Sequence, residues 1–183
     1  MTLVDQQVVV LITGISAAGK STVAELLARR FTLGVHLRGD VFRRMIVSGR
    51  QEMADPLTDE AKRQLRIRYR LGAMTADAYV DAGFSVVVQD VVLGSSLATY
   101  AEMIRSRPLV VVALAPRPDV VARREAGRAK VAYRDGHFGI AALDDGLRNG
   151  TPRIGLWLDT SDQTPEQTVD EIVARGLDEG RIP

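Results

Sequence analysis

The chain has 183 residues, enough for one compact domain with a single sizeable core and too few for two enzyme domains. Its 46% hydrophobic and 26% charged content is that of an ordinary folded protein, which excludes wholesale disorder and fibrous repeats. The 24 basic side chains against 23 acidic ones give a net charge of +1, too little field to grip a polyanion, so nucleic acid is a poor fit as partner.

Short β-branched runs alternate with longer helical patterns, the signature of βαβ units and a parallel sheet. Val8 to Thr13 is apolar on both faces, as a strand covered by helices on each side must be. Four more strands are expected at Val35 to Arg38, Phe84 to Gln89, Leu109 to Leu114 and Ile154 to Leu158. Helices are expected over Ser21 to Phe31 and over Thr58 to Ala82, the second with Thr58 as its N-cap. Two more follow, from Asp119 to about Arg128 and from Glu166 to Leu177, the last opened by Thr164 and Pro165. Ser48 to Leu57 and Tyr133 to Gly139 are rich in turn formers and read as loops.

There is no cysteine, which excludes disulfides and thiolate metal sites, and the only histidines are His36 and His137. No apolar run approaches the roughly 18 residues that span a bilayer, and no signal-peptide pattern opens the chain. A cytoplasmic protein without a membrane partner is the expectation. The basic set is skewed, since only Lys20, Lys62 and Lys130 are lysines and the remaining 21 are arginines. Coding bias accounts for such a skew, and so does phosphate chemistry, where guanidinium forks are favoured.

The most specific feature is Gly14-Ile15-Ser16-Ala17-Ala18-Gly19-Lys20-Ser21-Thr22, a GxxxxGK[ST] phosphate loop standing between a buried strand and a helix. Glycines at both ends let successive N–H groups turn inward onto phosphate oxygens, and the helix that follows adds its positive end. Lys20 is placed to reach the β- and γ-phosphates, and the Ser21 hydroxyl to ligate Mg²⁺. A nucleoside triphosphate is therefore the expected cofactor, ATP by preference, although the loop alone serves GTP equally well. A regulatory GTPase would need an Asn-Lys-x-Asp guanine reader, yet the single asparagine, Asn149, precedes Gly150. Motor and transporter ATPases would need more chain than this. A small kinase remains.

On these residues the chain resembles the small P-loop kinases, and within them the chloramphenicol phosphotransferase-like family of AAA-type P-loop phosphotransferases. The resemblance rests on the loop GISAAGKST, on Gly39-Asp40 beyond the second strand and on VVVQDVVLG at the end of the third. RREAGR after the fourth strand and LDT after the fifth complete it. It implies a three-layer α/β/α fold, a five-stranded parallel sheet in the order 2-3-1-4-5, and a small helical lid over residues 124–140. It also implies transfer of the γ-phosphate of ATP to a hydroxyl of a small molecule, an antibiotic or other natural product among them.

Asp40 falls at the carboxyl edge of a parallel strand, where open α/β sheets bind ligands. The resemblance makes it the group that holds the acceptor hydroxyl and takes its proton, while an Asp there can also cap the helix that starts near Val41. Asp90 resembles the acid that ends the Walker B strand and serves Mg²⁺, with a role toward the acceptor also open. The family pattern has two acids here, and this chain has Gln89 in place of the first. Arg124 and Arg128 share a helix face and match the lid arginines that neutralise the transferring phosphoryl group. Asp159 and Thr160 stand where the family cradles adenine. Arg38, Arg43, Arg44 and Arg50 gather beside Asp40 and can meet an anionic acceptor, whereas Arg63, Arg66 and Arg70 read as a solvated face. Nucleoside, sugar and gluconate-type acceptors use the same frame. A regulator that binds nucleotide and transfers nothing is the alternative outside enzymes, and oligomeric state is not legible.

Overall fold

The structure, a computed structural model, describes residues 3–54, 56–127 and 138–183. Five parallel strands stand in the order β2-β3-β1-β4-β5, the order the resemblance implies: β2 Gly34–Arg38, β3 Ser85–Gln89, β1 Val9–Thr13, β4 Leu109–Leu114 and β5 Leu156–Leu158. A sixth strand that the sequence did not announce, β6 Arg181–Ile182, pairs antiparallel with β4. It has only two residues, too short for any periodic signal.

The helices are α1 Lys20–Ala28, α2 Asp40–Arg44, α3 Asp59–Asp81, α4 Ser96–Met103, α5 Pro118–Ala126, α6 Ile140–Arg148 and α7 Pro165–Glu179. Thr58 caps α3 by accepting a hydrogen bond from the Ala61 amide, and Thr164 with Gln167 closes a capping box on α7. Helices α4 and α6 lie outside the elements expected from sequence.

Alternate residues of each central strand point to opposite faces, so one buried run feeds two cores. Val10, Ile12, Val110 and Val112 pack with Val23 and Leu27 of α1 and with Val169 and Ile172 of α7. Val9, Leu11, Val86 and Val88 face the other way, onto Tyr69, Ala73 and Ala76 of α3 and Leu97 and Tyr100 of α4. All five residues of β1 are buried, which holds the loop that follows it on a rigid base.

Buried Asp77 on α3 ties the α4–β4 connection to this second layer. Its carboxylate accepts from the Ser106 amide at 2.9 Å, the Ser106 hydroxyl at 2.7 Å and the Arg105 amide at 3.2 Å. Burial raises its pKa, but the bonds from Ser106 and Arg105 outweigh that and leave it below the usual carboxylate value. A depressed folded pKa gives stability that is present above the unfolded value near ~3.9 and is lost as pH falls through the folded one. Asp77→Ala, which leaves two amides and a hydroxyl without their acceptor, is expected to cost about 2–4 kcal/mol in urea denaturation at neutral pH. The deficit should shrink as the pH is taken below 4 or so.

Among the described residues no helix is long and apolar enough to cross a membrane.

Candidate functional site

The phosphate loop leaves β1 at Gly14 and enters α1 at Lys20. Ala17 and Gly19 both lie at positive φ, 62° and 97°. For Ala17 that is a strained conformation held by its surroundings, of the kind that collects at functional loops. Gly19 occupies the N-cap position of α1 and no side chain caps that helix, so its first N–H groups stay open to an anion. Lys20 is buried to 7% exposure and donates from Nζ to the Ile15 carbonyl at 2.7 Å, folded across the loop it would serve. The Ser21 hydroxyl donates to Gln89 Oε1 at 3.4 Å, so the amide just before Asp90 is the side chain that faces Ser21.

Asp90 is committed elsewhere. Its side chain is fully buried and paired with Arg68 of α3: Arg68 Nε donates to Oδ2 at 2.8 Å, Nη2 donates to Oδ1, and the Val91 amide adds a third bond at 2.6 Å. This close approach depends on Gly39, where a Cβ would lie 2.0 Å from Asp90 Oδ2. Both Asp90 oxygens are thus taken up by Arg68 and the Val91 amide, and Gln89 is the strand-end side chain that meets Ser21. Burial pulls the Arg68 guanidinium below its ordinary pKa while Asp40 is among the groups that oppose this, which sets Arg68 near both acids. Tyr69 and Tyr100 stack behind it with ring centroids 5.0 Å apart, and Tyr69 donates to the Val91 carbonyl at 3.2 Å.

Asp40 stands inside the first turn of α2, whose N-cap is Gly39, and its carboxylate pairs with Arg44 one turn on. Arg43 holds the loop ahead of α3, donating to the Gln51 carbonyl and lying 3.6 Å from Glu52. Arg124 on α5 reaches back over the loop, with Nη1 donating to Ala18 O at 3.3 Å and Nη2 to Thr160 O at 2.9 Å. It thus ties the loop to the turn after β5. Asp159 turns away, its carboxylate held below its usual pKa chiefly by the Ser161 hydroxyl.

One cavity of about 560 Å³ gathers most of these groups. It is lined by the loop from Ser16 through Thr22, by Arg38, Asp40, Arg68, Gln89 and Asp90, and by Arg124 and Thr160. Of the residues expected from sequence, Gly14, Arg43, Arg44 and Asp159 do not line it. Arg128, and with it residues 128–137 of the expected lid, lies outside the described residues. Arg68 is the residue the sequence reading missed. Its signal was present, since Arg68 lies one turn after buried Gln64 and one turn before buried Gly72, in the inward stripe of α3.

A parallel sheet in this order, with a phosphate loop between its central strand and the helix that follows, is the P-loop kinase fold. The chain belongs to the AAA domain family, whose model matches residues 9–153. A sugar kinase from Janibacter sp. HTCC2649 has the same fold at TM-score 0.68, with 25% identity over 95% of this chain and 96% of its own. The Mycobacterium tuberculosis APS kinase, solved with AMPPNP and APS, is similar at TM-score 0.65 and 21% identity over 92% and 96%. A gluconokinase from Sinorhizobium meliloti 1021 follows at 0.58 and 23% over 90% and 89%. No curated protein matches the sequence.

Proposed function

We propose that the chain is a single-domain small-molecule kinase that moves the γ-phosphate of ATP, with Mg²⁺, to an acceptor hydroxyl. The observation that carries this reading is the cavity in which the phosphate loop, Arg124 and the strand-edge acid Asp40 meet. Phosphoryl transfer asks a protein mainly to align the nucleophile and to spread charge, and these groups divide that work.

In this reading the triphosphate lies along Ser16 to Thr22, and Lys20 leaves the Ile15 carbonyl for the β- and γ-phosphate oxygens. Ser21 would hold the metal through its hydroxyl, and Gln89 would orient that hydroxyl. When bound, Mg²⁺ supplies charge neutralisation on the phosphate oxygens. Arg124 shields the transferring group from one side, and Thr160 borders the base. Asp40 receives the acceptor hydroxyl, aligns it with the γ-phosphorus and takes its proton. Asp90 contributes by fixing Arg68 on the acceptor wall.

The neighbour most similar to this chain among those described above is a sugar kinase, which favours a sugar or sugar-acid acceptor over the antibiotic acceptors of the chloramphenicol phosphotransferase-like family. The test is incubation with Mg²⁺ and ATP against hydroxylated antibiotics, nucleosides, sugars and sugar acids, followed by mass spectrometry. A kinase yields a product heavier by one HPO₃ in at least one class. ATP bound without any product would favour the regulator instead.

A further inference from the structure

The cavity wall carries four cations, Lys20, Arg38, Arg68 and Arg124, against two acids, Asp40 and Asp90. Lys20 and Arg124 both bond to carbonyls of the phosphate loop and serve the triphosphate end. Asp90 is matched by Arg68 and Asp40 by Arg44. That leaves the exposed guanidinium of Arg38, which has no hydrogen bond or ion pair with any described residue. Arg38 ends β2, two residues before Asp40. Strand β3 stands between β2 and β1, so at about 4.8 Å per strand Arg38 begins roughly 10 Å from the strand that bears the phosphate loop. Arg68, which lines the cavity, spends Nε and Nη2 on Asp90, and its Nη1 has no hydrogen bond to any described residue.

We propose that the acceptor is a hydroxylated anion, a carboxylate or an ester of sulfate or phosphate, whose charged group is held by Arg38 and by Nη1 of Arg68 while its hydroxyl lies at Asp40. This rests on the kinase reading above. Planar guanidinium forks match the two oxygens of such an anion, and a neutral acceptor would leave the Arg38 charge to water alone. The buried Asp90–Arg68 pair acts as a brace: it holds one fork at a fixed angle, so the anion sets the distance between the acceptor hydroxyl and Asp40. The acceptor side is thus selective for charge, with the phosphate loop reserved for the nucleotide.

The test separates this subsite from catalysis. Protein saturated with Mg²⁺ and AMPPNP, so that the phosphate loop is filled, is titrated with sodium sulfate at constant ionic strength while the arginine Nε–H resonances are followed. Saturable shifts of Arg38 and Arg68 are expected, with affinity weakened about tenfold or more in Arg38→Gln, an exposed change that leaves the core alone. Absence of saturation, or equal affinity in Arg38→Gln, overturns the proposal. A second arm compares a sugar acid with the polyol of equal chain length as acceptors. A preference for the acid of about tenfold in kcat/KM, lost in Arg38→Gln, supports the subsite. Equal use of both, or preference for the polyol, contradicts it while leaving the kinase reading in place. Should neither be phosphorylated, the kinase reading is in question and the sulfate titration still decides the anion subsite.

Discussion

Lys20→Ala is expected to lower kcat by about 10²–10³-fold while leaving the fold intact. The ammonium donates to the Ile15 carbonyl at 2.7 Å, across the loop. Nucleotide offers it phosphate oxygens, where a compact positive charge counts most as negative charge shifts during transfer. Its removal costs transition-state stabilisation more than stability, because the Ile15 carbonyl keeps its bond from the Ala18 amide at 3.2 Å. Lys20→Arg should not restore the rate, since a planar five-donor fork does not fit a niche that leaves only 7% of the lysine exposed. Steady-state kinetics with a thermal melt of each variant checks both points, and a melt that drops with the rate would contradict the assignment.

Asp40→Asn is expected to lower kcat by about 10²–10⁴-fold, the usual worth of a positioned general base, with the KM for ATP nearly unchanged. The amide keeps the size of the carboxylate but neither takes the acceptor proton nor attracts its hydroxyl as strongly. The change also leaves Arg44 without its partner, but this pair is half exposed and contributes little to stability, about 0–1 kcal/mol. A structural role alone would therefore show as a small shift in melting and no loss of rate. Undiminished turnover in Asp40→Asn excludes Asp40 as base or positioning group.

The two ends of the site differ in how far they could be read from sequence. The phosphate loop was legible in full because its chemistry fixes residue types at fixed spacing in one continuous stretch. The strand order followed from the resemblance those letters carry, and the strands from β-branched runs that only a sheet covered on both faces would bury. Asp90 was found as a strand-end acid, but its pairing was not, because Arg68 lies 22 residues away on a helix whose arginines looked alike. Only the packing of α3 across β3 separates Arg68 from Arg63, which makes a surface pair with Glu60 at 2.7 Å.

The arginine excess also divides once partners are known. Arg29 with Glu25 and Arg175 with Glu179 form one-turn pairs on helix surfaces, of the kind worth little to stability. Arg38, Arg68 and Arg124 alone among the described arginines line the cavity, beside one of only three lysines.

The central claim is transfer to an organic hydroxyl, and the most direct measurement follows the destination of the γ-phosphorus. Protein is incubated with Mg²⁺, γ-labelled ATP and a mixture of sugar acids, and the products are separated. The account predicts label on an organic phosphate, in amounts that fall with Lys20→Ala and Asp40→Asn alike. Label that stays in ATP, or passes only to inorganic phosphate at a rate indifferent to Asp40, would contradict it.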